Sequence, residues 1–136
     1  MDAAIADALM LTDESTIAQR TVDITTTGAR SGASRRIEIW FHTVDDEVYL
    51  TGTPGARAWY ANLLAHPRFA FHLKNGVRED LAATATPITA PAERARLFPR
   101  IVAGIEAAYE REGSRPRLGA VSDWIEGSPL ARVDFD

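Results

Sequence analysis

The sequence predicts a mainly β chain: a small antiparallel barrel of about six strands, with two or three helices packed outside it. Three observations carry this. Short runs of β-branched and alternating residues recur along the chain and are joined by hairpin-length turns, which implies antiparallel pairing. The βαβ alternation of a parallel sheet is absent. Two interior segments, residues 54–67 and 91–111, show helical spacing of apolar residues instead.

In chain order, "MDAAIADALM" reads as a short amphipathic helix with Ile5, Ala8 and Leu9 on its apolar stripe. Residues 21–27 are rich in threonine, valine and isoleucine and form the first strand. Residues 28–34 are a loop, and 35–43 are a second strand. "DDE" is a tight turn into a third strand over 48–53. "TPGARAWYANLLAHP" is a helix with Pro54 near its start and Pro67 as its stop. Residues 68–74 are a fourth strand. Asn75-Gly76 is the strongest hairpin signal, since both residues accept positive φ in a type I′ turn. The return strand runs over 77–88. From Pro91 to Arg111, Leu97, Ile101, Ile105 and Ala108 or Tyr109 make the buried face of a longer helix. Pro99 should kink that helix or split off its first turn. Ser122 or Asp123 would cap a short turn containing Trp124, and residues 129–135 close as the last strand.

The chain has 136 residues, which fits one domain and is long enough to bury a core without disulfide or metal staples. It has no cysteine, which removes disulfides, thiolate metal sites and cysteine nucleophiles. No apolar run approaches the ~20 residues of a membrane span. The N-terminus carries acids where a signal peptide needs positive charge, so a cytoplasmic protein is expected. The net charge of −4 disfavours general nucleic-acid binding.

The distribution of charge says more than its sum. Between Ile24 and Ile37 the charged residues are Arg30, Arg35 and Arg36. Between Val48 and Arg78 they are Arg57, Arg68, Lys74 and Arg78. Seven bases and no acids in these stretches point to a local site for a small anion on an otherwise acidic chain.

Alternation divides the second strand into an apolar face (Ile37, Ile39, Phe41) and a polar one (Arg36, Glu38, Trp40, His42). The fourth strand sets Phe69, Phe71 and Leu73 against Arg68, His72 and Lys74. Glu38 is either a base beside a ligand or the partner of Arg36 or of an arginine across the sheet. His66 is a helix-end residue before Pro67. The three histidines and the scattered carboxylates have no metal-ligand spacing, so no metal is expected. No nucleophile elbow, Walker loop or dinucleotide fingerprint occurs.

"TTTGARSGASRR" followed by "TGTPGARAWYANLLAHPR" is similar to two stretches of the deazaflavin-dependent nitroreductase and quinone reductase family, within the flavin-binding split β-barrel group. That family carries "TTTGRxSGxxR", a strand, a glycine-containing loop and a helix reading "WYxNLxxNP". The matching positions are Thr26, Thr27, Gly28, Arg30, Ser31, Gly32 and Arg35 or Arg36, then Gly55, Trp59, Tyr60, Asn62, Leu63 and Pro67. The resemblance covers residues 23–88, and "TGTPGAR" lacks the family's lysine, for which Arg57 would substitute in charge.

The resemblance implies a six-stranded, Greek-key-like split barrel that binds coenzyme F-420, an 8-hydroxy-5-deazaflavin, with flavin mononucleotide (FMN) as the alternative used by neighbouring families. The implied coenzyme-binding residues are Arg30, Ser31, Gly32, Arg35, Arg36, Thr53, Pro54, Gly55, Arg57, Trp59, Tyr60 and Asn62. The arginine loop would hold the phosphate and acidic tail through bidentate hydrogen bonds. Gly28 and Gly32 would let backbone N–H groups approach the anion. Arg35 and Arg36 point to opposite faces, so only one should reach the ligand directly. Trp40, Trp59 and Tyr60 are candidate walls for a flat pocket. No catalytic side chain is selected, because the coenzyme carries the chemistry.

The implied activity is hydride transfer to a small flat acceptor: a quinone, a nitro compound or an enone. The alternatives are an FMN-binding oxidoreductase resembling pyridoxamine-phosphate oxidases, and a non-catalytic flavin or deazaflavin carrier. A homodimer is expected by analogy with the group.

Overall fold

A computed structural model describes residues 1–136. Six strands close into an antiparallel barrel, with five helices around it. The strands are β1 (Thr21–Thr27), β2 (Ser34–Val44), β3 (Glu47–Thr51), β4 (Arg68–Leu73), β5 (Glu79–Pro87) and β6 (Leu130–Phe135). Their order around the barrel is β1-β2-β3-β6-β5-β4, with β4 returning to pair β1. Closure leaves no free sheet edge.

The helices are α1 (Ala3–Leu9), α2 (Ile17–Arg20), α3 (Ala58–Ala65), α4 (Pro91–Arg111) and α5 (Val121–Gly127). There are more helices than the two or three expected. The additional turn α2 begins with a capping box, Thr16 and Gln19 each accepting the other's backbone N–H.

Period-two alternation sets the inner face. Val22 and Ile24 on β1, Phe41 on β2, Val48 and Leu50 on β3, Phe71 on β4 and Val133 on β6 fill the barrel, joined by Leu9 of α1 and by Trp59 and Leu63 of α3. Phe71 meets Phe41 and Phe135 edge-on, with ring centroids 5.4 and 5.1 Å apart. Phe41 and Phe71 are fully buried, which contributes about 1.5–3 kcal/mol each. A second core lies outside the barrel wall. There Leu97, Phe98, Ile101, Val102 and Ile105 of α4 and Trp124 of α5 cover Val44, Tyr49 and Leu130.

Several local expectations are corrected. The two-residue turn with positive φ is Asp45-Asp46 (φ 50° and 64°), between the paired residues Val44 and Glu47. At Asn75-Gly76 only Gly76 has positive φ, and the hairpin closes at Leu73 and Glu79 around a longer loop. Asn75 instead turns its amide onto the Ala18 and Thr21 carbonyls. Helix α3 starts at Ala58, leaving Pro54 in a loop where Gly55 has φ 128°. Pro99 sits inside a continuous α4. Ser122 and Asp123 lie within α5, whose N-cap is Ala120.

Candidate functional site

The loop between β1 and β2 is closed by its own hydrogen bonds. Gly28 N–H donates to Ala33 O at 2.8 Å, and Gly32 N–H to Gly28 O at 3.0 Å. Ala33 N–H donates to Ser31 Oγ at 3.1 Å. Gly32 holds φ 69°, a conformation glycine adopts without steric cost. A Cβ on Gly28 would stand 2.5 Å from Ser31 Oγ, so a larger residue there would displace the serine side chain. The Gly28 and Gly32 N–H groups are thus engaged inside the loop. The Ser31 hydroxyl proton stays available, since its oxygen acts here as an acceptor.

Asn62 fastens this loop to α3. Its Oδ1 accepts Ala29 N–H at 2.9 Å, and its Nδ2 donates to Thr26 Oγ1 at 3.1 Å. Asn62 and Thr26 are both buried. Beside this anchor opens a cavity of about 440 Å³. Arg30, Ser31 and Arg35 stand on one side of it; Ile37, Trp59 and Asn62 stand on the others. Arg35 pairs with Thr26 on the inward register, whereas Arg36 pairs with Thr25 on the outward one. Arg30 and Arg35 are exposed and have no carboxylate within ion-pair distance.

The outward face is neutralised. Arg36 Nε lies 3.0 Å from Asp23 Oδ2, and Lys74 Nζ lies 2.7 Å from Asp23 Oδ1. Lys74 also pairs with Glu38, so Glu38 bonds across the sheet to a lysine and not to an arginine. The Lys74 hydrogen bond, then that of Arg36, holds the Asp23 carboxyl below its usual range. Arg68 is bidentate to Asp136, with both distances 2.7 Å.

The remaining candidates divide. Arg57 folds back over its own loop, donating to Thr53 O, Thr53 Oγ1 and Ala56 O. Gly55 N–H donates to Gly127 O at 3.0 Å, tying the loop before α3 to the end of α5. Gly55, Arg57 and Tyr60 line a second cavity, of about 420 Å³. Thr53 and Pro54 line neither cavity. Trp40 lines neither cavity and stacks on Tyr109 of α4 at 5.2 Å. His66 is the C-cap of α3. His42 is buried, and burial followed by the charge of Arg20 pushes it down to about 3. His72 joins Thr25 Oγ1 at 2.7 Å to Asp80 Oδ1 at 2.6 Å.

Sequence reasoning missed Arg94 and Ser128. Arg94 donates to the carbonyls of Ile88, Trp124, Ile125 and Ser128 and lies 5.1 Å from the Phe98 ring centroid. It binds α4 to α5 and its C-cap and to the segment after β5. No local motif marks it, because all four acceptors are backbone atoms distant from it in sequence or across a turn.

The donor set of the first cavity fits the anionic part of a deazaflavin coenzyme. Two guanidinium groups without carboxylate partners and one free hydroxyl proton border a floor of Ile37 and Trp59. The sequence profile for F420H(2)-dependent quinone reductase matches residues 13–118. A conserved hypothetical protein from Mycobacterium tuberculosis has the same fold, with a TM-score of 0.64 at 20% identity, covering 99% of this chain and 81% of that one. An F420-H2 dependent reductase aligns with a TM-score of 0.53 at 18% identity, over 85% and 94% of the two chains. A Clostridium acetobutylicum protein related to a general stress protein of the pyridoxinephosphate oxidase family gives 0.58 at 13% identity, over 85% and 75%. At these identities the structural likeness speaks for the fold. No curated protein matches the sequence.

Proposed function

Because the chain belongs to the F420H(2)-dependent quinone reductase family, an oxidoreductase family using coenzyme F-420, we propose that it reduces a small flat acceptor, with a quinone first and a nitro compound or enone next. The observation that carries the site assignment is the pair Arg30 and Arg35: two unpaired guanidinium groups on one cavity in an acidic protein.

When bound, the reduced coenzyme supplies a hydride, and the protein's part is binding, orientation and exclusion of water. Arg30 and Arg35 donate charge-assisted hydrogen bonds to the phosphate and acidic tail. Ser31 Oγ adds a neutral donor. Asn62 keeps the loop in register with α3, so the three donors converge. Ile37, Ala58 and Trp59 give that cavity its apolar lining beside the arginines. Arg36 contributes little to an anion, since Asp23 already neutralises it.

A parallel fluorescence titration of the purified protein with coenzyme F-420 and FMN tests this reading. Tight binding of the deazaflavin, weakened in Arg30→Ala and Arg35→Ala, is the expected result. Preference for FMN would move the enzyme to the oxidase side of the fold. Unchanged affinity in both variants would remove the anion site.

A further inference from the structure

Arg20 ends α2 and is only 4% exposed, although it carries a charge. No carboxylate lies within ion-pair distance of it. Its Nε donates to Ser15 O at 3.3 Å and its Nη2 to Thr12 O at 2.8 Å, while Nη1 makes no hydrogen bond. Ser128 Oγ is the only fully enclosed side-chain polar atom of the chain left unpaired, so the unpaired Nη1 reaches open space. Burial acts most strongly against the charge on Arg20, Asp13 favours it from beyond ion-pair distance, and Arg111 opposes it. A buried charge without a partner is costly.

The open space is a third cavity, of about 670 Å³, between residues 11–13, the β2–β3 turn and α4. It shares no residue with the cavity at the arginine loop. Gly104 leaves room beside the guanidinium: a Cβ there would stand 3.6 Å from Arg20 Nη1. It does so inside α4, where glycine weakens a helix. Arg100 borders the same cavity; its Nη1 donates to Asp45 at 2.7 Å, and its other N–H groups are unpaired. Asp45 is taken by Arg96 and Arg100. Asp13 and Asp46 also border the cavity, and neither forms an ion pair.

A simple anion would be attracted by Arg20 and Arg100 and repelled by Asp13 and Asp46. A simple cation would meet the reverse. A ligand carrying one group of each sign satisfies both pairs. We propose that this cavity binds a small zwitterion of the α-amino acid class. Its carboxylate accepts from Arg20 Nη1 and Arg100, and its ammonium donates to Asp13 and Asp46. The site is independent of the hydride-transfer reading, since the two use no residue in common.

The test titrates the protein with L-alanine, following backbone amides by NMR. Propionate and ethylammonium, which are alanine without its ammonium and without its carboxylate, are run in parallel, with sodium chloride at matched ionic strength. Saturable shifts are expected with alanine at Asp13, Asp46 and Gly104. Each half-molecule should bind about 10–100-fold more weakly, having lost one set of charged hydrogen bonds. Arg20→Lys, which keeps the charge and loses the fork, and Asp46→Asn should each weaken alanine about tenfold or more. Asparagine tolerates the positive φ at position 46, so Asp46→Asn keeps the turn. Gly104→Ala should raise helix stability and still weaken alanine, since its methyl would stand against Nη1. Propionate or ethylammonium binding as well as alanine, shifts reproduced by sodium chloride, or unchanged alanine affinity in Arg20→Lys and Asp46→Asn would each overturn the proposal.

Discussion

Asn62 accepts the backbone N–H of Ala29 at 2.9 Å, so a single side chain of α3 positions the loop that carries Arg30. The same amide reaches the buried Thr26 hydroxyl on β1. Asn62→Ala would leave both groups unpaired. The expected loss is about 1–3 kcal/mol, read by urea unfolding. Coenzyme affinity should fall as well, although Asn62 carries no charge, because the loop loses its fixed position. Wild-type stability in this variant would deny Asn62 that role.

Arg35 and Arg36 are adjacent in sequence and opposite in environment. Arg35→Ala should weaken coenzyme binding by about 1.5–3 kcal/mol, the range for a hydrogen bond to a charged group. Arg36→Ala should change it much less, because its charge is already balanced by Asp23. Stability should move little in either variant, since exposed charges contribute little to folding. A larger binding loss in Arg36→Ala than in Arg35→Ala would reverse the assignment of the two faces.

Stability should depend on pH through His42. Its pKa is about 3 in the fold and near 6.5 when unfolded. Between those values the unfolded chain binds a proton that the fold excludes. The stabilisation is therefore complete above about pH 6.5 and declines as pH falls toward 3. Asp23, whose folded pKa is lowered, adds a loss in the same direction at the acid end. Urea midpoints measured against pH should fall less steeply between pH 6 and 4 in His42→Asn. An identical slope would exclude His42 as the cause.

Asp46 occupies positive φ and, unlike Asp45, forms no ion pair. Asp46→Gly should raise stability by about 0.5–1 kcal/mol by relieving that conformation. Asp45→Gly relieves the same kind of strain but removes the pairs with Arg96 and Arg100 on α4. It should gain less than Asp46→Gly. Denaturation of the two variants side by side tests the ordering.

The sequence by itself determined what depends on neighbours in the chain. The threonine-rich run 21–27 reads as a strand from its β-branched residues, and β1 has those bounds. The apolar stripe after Pro91 gave a helix with the same ends, 91 and 111. The loop motif around Arg30 and the "WYANL" turn marked the family and one side of the site. Tertiary structure decided everything that depends on distant partners. Seven bases stood without acids in sequence, yet Asp23 neutralises Arg36 and Asp136 neutralises Arg68. Those carboxylates come from other strands or from the chain end, and only strand register brings them within 3 Å. Gly127 likewise reaches Gly55 because α5 returns beside the loop before α3, through the Gly55–Gly127 hydrogen bond. Alternation and propensity act over a few residues; charge balance and cavity walls are made by whichever surfaces the barrel brings together.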